Sequence, residues 1–225
     1  MKEILSFLSD LYANNNREWF ADNKERYLKV QEDVNDMALR LIDGISAFDP
    51  SVAGNTLKST TYRIYRDIRF SPDKSPYKTH IGIYIARGGK KSGYAGYYTH
   101  FEPDANAWLG GNLLCAGLFM PEKKALNSVR EDILLSGEKY KDAIERAKGF
   151  NLVTEGALKK LPPGFPADTP YTEYLKLKDF LLNRPMDDRI IKASDPVSVI
   201  VDDFRETYEF VALLNRSVEY AFEEM

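Results

Sequence analysis

Apolar residues at Ile4, Leu8 and Leu11, flanked by Leu5, Phe7 and Tyr12, recur at helical spacing and stop at Asn14, Asn15 and Asn16. The pattern predicts a short first helix. Asn15 stands three residues before Glu18, a capping-box spacing that starts a second helix. The inward stripe of that helix is Phe20, Tyr27, Val30, Val34, Met37, Leu41 and Ile45, and residues 44–50 end it. Mid-chain the period falls to two. Over residues 62–70, Tyr62, Ile64, Ile68 and Phe70 share one face of a strand and Arg63, Tyr65, Asp67 and Arg69 the other, with Arg66 alone breaking the apolar side. Pro72 and Pro76 follow in turn chemistry. Ile81, Ile83 and Ile85 alternate again, and residues 88–93 form the loop of a hairpin that returns through 94–101. A further strand is expected over 107–115, bulged at Gly110 and Gly111.

Beyond the strands, Pro121 opens a helix reaching about Leu135, and residues 137–148 supply another. Residues 161–166 make a rigid connector, 171–178 a helix and 180–184 an edge strand. Asp195 and Pro196 cap a terminal helix with the stripe Ile200, Phe204, Tyr208, Val211, Leu214, Val218 and Phe222. Helices, then strands, then helices define an α+β class. The expected architecture is one domain over residues 1–225, with an antiparallel sheet in the middle of the chain. Helices from both ends and from the 121–178 region pack mainly on one side of it.

Composition narrows the function classes. Of the 225 residues 44% are hydrophobic and 29% charged, which suits a globular chain rather than a disordered one. The single cysteine, Cys115, excludes an intrachain disulfide, fits a reducing cytosol and reads as a buried thiol. No run of eighteen apolar residues and no signal-peptide core occurs, so the expected location is cytoplasmic, away from membranes. A net charge of −3 argues against a nucleic-acid partner along the whole chain. Positive charge is nevertheless concentrated in one place. Residues 58–78 hold Lys58, Arg63, Arg66, Arg69, Lys74 and Lys78 against Asp67 and Asp73.

That cluster is the leading candidate site. Guanidinium forks suit phosphate or carboxylate oxygens two at a time, and Lys74 and Lys78 add point charges just past the turn. Same-face neighbours on a strand lie roughly 6.5–7 Å apart, so Asp67 can orient Arg69 or act as a base. The competing reading is an internal ion-pair network, in which the two aspartates neutralise two cations and Tyr65 and Tyr77 cover the stems. Arg66, pointing toward a core, needs a carboxylate or several carbonyls. Tyr98, His100 and Glu102 share one strand face and His80 opens another strand. His100 is thus a second candidate for proton transfer, although two ligands without a third do not make a metal site. No metal and no cofactor are expected. Gly88, Gly89 and Gly93 with Lys90 and Lys91 lack the phosphate-loop spacing and read as a solvated hairpin tip. Tyr94, Tyr97 and Tyr98 could stack bases, but tyrosines are also good strand formers.

The run Arg63-x-x-Arg66-Asp67-x-Arg69-Phe70-x-x-x-Lys74-x-x-Tyr77 resembles the signature of a group, bacterial with fungal members, designated domain-of-unknown-function 2461. The likeness extends to Phe7-Leu8-x-x-Leu11 with Asn15-x-Arg17-Glu18-Trp19-Phe20-x-x-Asn23-Lys24, and to Gly117-x-Phe119-Met120-Pro121 with Arg130. The segments Leu161-x-Pro163-Gly164-Phe165 and Asp168-x-Pro170 fit more loosely, and Thr169 stands where a histidine is expected. Residues 112–116 form a longer segment than the group's glycine-rich strand end. The resemblance implies a single full-length domain and a defining polar motif, and brings no activity, cofactor or catalytic residue. The resulting expectation is a small phosphorylated ligand bound by Arg63, Arg66, Arg69, Lys74, Tyr77 and Lys78, with Asp67 or His100 as base. The alternative is a non-catalytic module that binds another protein and uses the motif as a brace.

Overall fold

The computed structural model describes residues 1–103 and 109–223. Five antiparallel strands form one sheet in the order β1-β2-β3-β5-β4: β1 (Ile81–Ala86), β2 (Gly96–Phe101), β3 (Leu113–Leu118), β4 (Asn151–Leu152) and β5 (Phe180–Pro185). Alternation sorts the side chains into two faces. Ile83, Ile85, Tyr97, Phe101, Leu114, Ala116, Leu118 and Leu182 are buried toward the helices. There α3 (Lys24–Ser46), α8 (Pro196–Arg205) and α9 (Tyr208–Glu223) supply Leu41, Phe204 and Leu214 to the same core. The opposite face carries Tyr84, Tyr98, Cys115 and Asn183 in one cross-strand row and Gly82, His100 and Leu113 in the next. The α+β class and the one-sided helical packing are as the patterning predicts.

The helical stripes fold as helices, with breaks that periodicity does not mark. α1 (Lys2–Ala13) buries Ile4, Phe7, Leu8 and Leu11. The expected second helix divides into α2 (Arg17–Asp22) and α3 at Asn23. Its cap is Asn16, which accepts from the Trp19 N–H at 2.9 Å. Asn15 is used elsewhere: its amide brackets the Tyr77 peptide, donating to the carbonyl at 2.9 Å and accepting from the N–H at 3.2 Å. A buried peptide group needs such partners, and this one outcompetes the cap. The terminal stripe likewise divides between α8 and α9. α5 (Lys123–Arg146) bends at Ser136, where the sequence changes from one predicted helix to the next.

Three strand expectations need correction. Residues 62–70 are not a strand; among the described residues a single bridge, Tyr65 to Tyr77, falls within this segment, and another, Thr61 to Ile83, just before it. Pro72 and Pro76 lack the N–H groups a ladder requires, and the chain closes an irregular loop through Arg66 N–H to Pro76 O at 3.0 Å and Lys78 N–H to Ile64 O at 2.8 Å. Ile64 is buried while Tyr62 and Phe70 are exposed, so the apolar face inferred from alternation does not form. The third strand begins at Leu113, after Gly110 (φ +87°) and Gly111 (φ +108°), and runs on to Leu118. Residues 107 and 108 of the expected span lie outside the described residues. β5 is not an edge, because the two-residue β4 pairs along its outer side. Among the described residues no helix is long and apolar enough to cross a membrane.

Candidate functional site

The loop from Thr61 to His80 runs off the β1 edge and distributes the motif's charges unequally. Arg66 turns back on its own loop, donating to Asp73 and Ser75 and, at 3.4 Å, to Ser71. The carboxylate expected for Arg66 is therefore Asp73, held at about 2 by that arginine and by Ser75. Arg69 is forked by Asp67, Nε to Oδ1 at 2.9 Å and Nη2 to Oδ2 at 2.6 Å, and the pair stands in solvent. The Arg69 bond holds Asp67 at about 2 as well. A carboxylate with both oxygens engaged and so low a pKa takes up no proton near neutrality.

The other three cations meet no carboxylate within ion-pair distance among the described residues. Lys74 donates to the Ile68 carbonyl at 3.0 Å and Lys78 to the Arg63 carbonyl at 2.8 Å. Neither bond neutralises charge. Arg63 and Lys78 lie close together; burial, and then the Arg63 charge, lower the Lys78 pKa. Lys74 faces elsewhere, into an open cleft of about 650 Å³ shared with Asn16, Arg17 and Ser75. Tyr77 turns inward, its ring stacked on Phe20 with centroids 3.9 Å apart. The motif thus splits into two closed pairs, one cation in the cleft, and the Arg63–Lys78 pair beside the sheet.

Next to that pair begins a chain of polar groups on the sheet face that carries Tyr98 and Cys115. His80 stacks on His100 with ring centroids 5.2 Å apart. His100 Nδ1 meets the Tyr98 hydroxyl at 2.9 Å, and its Nε2 faces Glu102 Oε2 at 3.2 Å. Spacing two residues apart along β2 makes this alignment possible. Gly82, opposite His100 in the register, keeps it open: a Cβ there would meet the Tyr98 hydroxyl oxygen at 2.5 Å. Glu102 Oε1 also accepts from the N–H groups of Gly111 at 2.7 Å and Leu109 at 3.0 Å. Burial alone would raise the Glu102 pKa, but these bonds outweigh it and lower it. A proton on Nε2, toward this carboxylate, would leave Nδ1 to accept from the Tyr98 hydroxyl. Burial raises the Cys115 thiol, on the same face, to about 12, so it is a packing residue and not a nucleophile. Among the described residues no group of three or more His, Cys, Asp or Glu side chains could hold a metal.

Burial, His100 and Lys78 together push His80 down to about 4. Its unfolded value lies near 6.5, so between pH 6.5 and 4 the unfolded chain binds the extra proton and stability falls as pH falls. His100, lowered chiefly by burial, acts in the same direction, whereas Asp67 and Asp73 lose their contribution only as pH drops from 3.8 toward 2. Urea midpoints at pH 7, 5 and 4 should decline in that order, and His80→Asn should flatten part of the slope. A midpoint unchanged from pH 7 to 4 would show that His80 is not held neutral.

Sequence patterning points to His100, Glu102 and Tyr98 through their alternation, but gives no sign that Lys90 lies over the Tyr62 ring. Neither the curated proteins nor the solved structures contain a match to this chain. A family profile does match, over residues 3–212, and it spans the motif loop, the sheet and nearly every helix. The chain belongs to the conserved hypothetical protein family DUF2461.

Proposed function

We propose that the protein binds a small phosphorylated molecule where Arg63 and Lys78 meet the sheet beside His80. The observation that carries this reading is a half-buried ammonium next to a guanidinium, neither with a carboxylate in ion-pair contact among the described residues, while Asp67, within electrostatic reach of Arg63, is already forked by Arg69. Two like charges held together repel each other, and an oxyanion between them relieves that repulsion. The Tyr98–His100–Glu102 chain is the group we assign to proton transfer at this position, in preference to Asp67. A second reading, a non-catalytic module binding another protein, is favoured by the closed Arg66–Asp73 and Arg69–Asp67 pairs, which brace the loop without a ligand.

The two readings separate on substitution. Arg69→Ala removes an exposed pair, the arginine side chain being 75% accessible, and should leave the melting temperature nearly unchanged. It should leave phosphate affinity, measured by calorimetric titration, within about twofold. Arg63→Ala should weaken inorganic phosphate by about tenfold or more while leaving the melting temperature nearly unchanged. Equal phosphate affinity in wild type and Arg63→Ala would favour the interaction module.

A further inference from the structure

The glycine-rich loop between β1 and β2 is not a solvated tip; it docks on the helical turn α4 (Leu57–Thr60). Gly89, at φ +86°, has no room for a side chain, since a Cβ would meet the Ser59 Cβ at 2.8 Å and the Ser59 carbonyl oxygen at 3.2 Å. The Lys90 N–H donates to that carbonyl at 2.9 Å, and the Lys90 ammonium donates to the Lys58 carbonyl. This anchoring sets Lys90 Nζ 5.4 Å from the centre of the Tyr62 ring, while Lys78 Nζ lies 5.6 Å from the same centre. The two ammonium groups are therefore separated by no more than the sum of those distances. Lys58 and Lys91 cluster with Lys90 as Arg63 does with Lys78; burial first, then these like charges, lower both the Lys90 and the Lys78 pKa. Among the described residues none of the five cations has a carboxylate in ion-pair contact.

Two clusters without a carboxylate in ion-pair contact, each reaching the ring of one half-exposed tyrosine, suit two negative groups within that span. Resting on the reading of Arg63 and Lys78 as an anion site, we infer that the ligand is a diphosphate. One phosphate is held by Arg63 and Lys78, the other by Lys90 and Lys91 with Lys58 beside them, and the Tyr62 ring is within reach of both lysine ammonium groups. A monophosphate reaches one cluster. A diphosphate reaches both, and once its first group is held the second binds at high effective concentration.

The test titrates inorganic phosphate, pyrophosphate and a thymidine oligonucleotide into the full chain at one ionic strength. Pyrophosphate should bind at least about tenfold tighter than phosphate. The double variant Lys90→Ala/Lys91→Ala, both at exposed or half-exposed positions, should lose at least about tenfold more affinity for pyrophosphate than for phosphate. Its circular-dichroism melt should match wild type, and a control, Gly89→Ala, should reproduce the selective loss by displacing the loop. Equal affinity for the two anions, or equal loss of both in the double variant, overturns the diphosphate inference while leaving the anion site standing. Failure of both anions to bind overturns both readings. Tighter binding of the oligonucleotide, falling steeply with salt, overturns the diphosphate in favour of single-stranded nucleic acid.

Discussion

Replacing Gly117 by alanine is expected to cost about 2–6 kcal/mol of folding stability. Gly117 sits inside β3 at φ +133° and is paired on both sides, with Gly96 of β2 and Leu181 of β5. A Cβ at this position would run into the Phe180 carbonyl oxygen and come within 3.2 Å of the Leu181 Cα. Both obstacles are backbone, so no side chain can swing away. Strained φ and overpacking each cost about 1–3 kcal/mol, and together they consume much of the 5–15 kcal/mol that a domain ordinarily holds. Guanidinium unfolding followed by circular dichroism checks this. A midpoint within experimental error of wild type would mean that β3 and β5 do not approach as described. The same geometry explains why glycine stands at the head of the Gly117-x-Phe119-Met120-Pro121 run: the sheet needs its backbone and not its side chain.

The second large effect is expected at Glu102. Its carboxylate is fully buried, accepts from the N–H groups of Leu109 and Gly111, and faces His100 Nε2 at 3.2 Å. Glu102→Ala leaves these donors facing a cavity, which costs about 3–5 kcal/mol. It also releases the His100 tautomer, so the His100 nitrogen chemical shifts should change to a mixture of the two neutral forms. Glu102→Gln keeps one acceptor and should fall between the two in stability. If Glu102→Ala melts like wild type and His100 keeps a single tautomer, the carboxylate does not orient the imidazole.

Helices were the most legible part of the chain, because a stripe such as Ile4, Leu8 and Leu11 encodes its own geometry. The β1–β2 hairpin was legible for a similar reason, a short loop between two alternating runs. What failed was any feature set by a distant partner. Tyr62 to Phe70 alternates as a strand does, yet Pro72 and Pro76 deny it a continuous ladder and Asp73 draws Arg66 back onto its own loop. Asn15 and Asn16 are equivalent as cap residues until the Tyr77 peptide claims one of them. Counting charges over residues 58–78 correctly anticipates more cations than carboxylates. It cannot place Lys90, brought onto Tyr62 by a glycine contact with Ser59, nor separate Lys74 from Lys78. The polar candidates His100 and Glu102 were visible because two-residue spacing on one strand is itself a distance.

Everything functional rests on Arg63 and Lys78 having charge to offer a ligand. The most direct measurement is a crystal structure of the protein grown with low-millimolar phosphate. An oxyanion within hydrogen-bond distance of both the Arg63 guanidinium and the Lys78 ammonium is the predicted result. Both side chains turned onto protein carboxylates, with no anion between them, would contradict it.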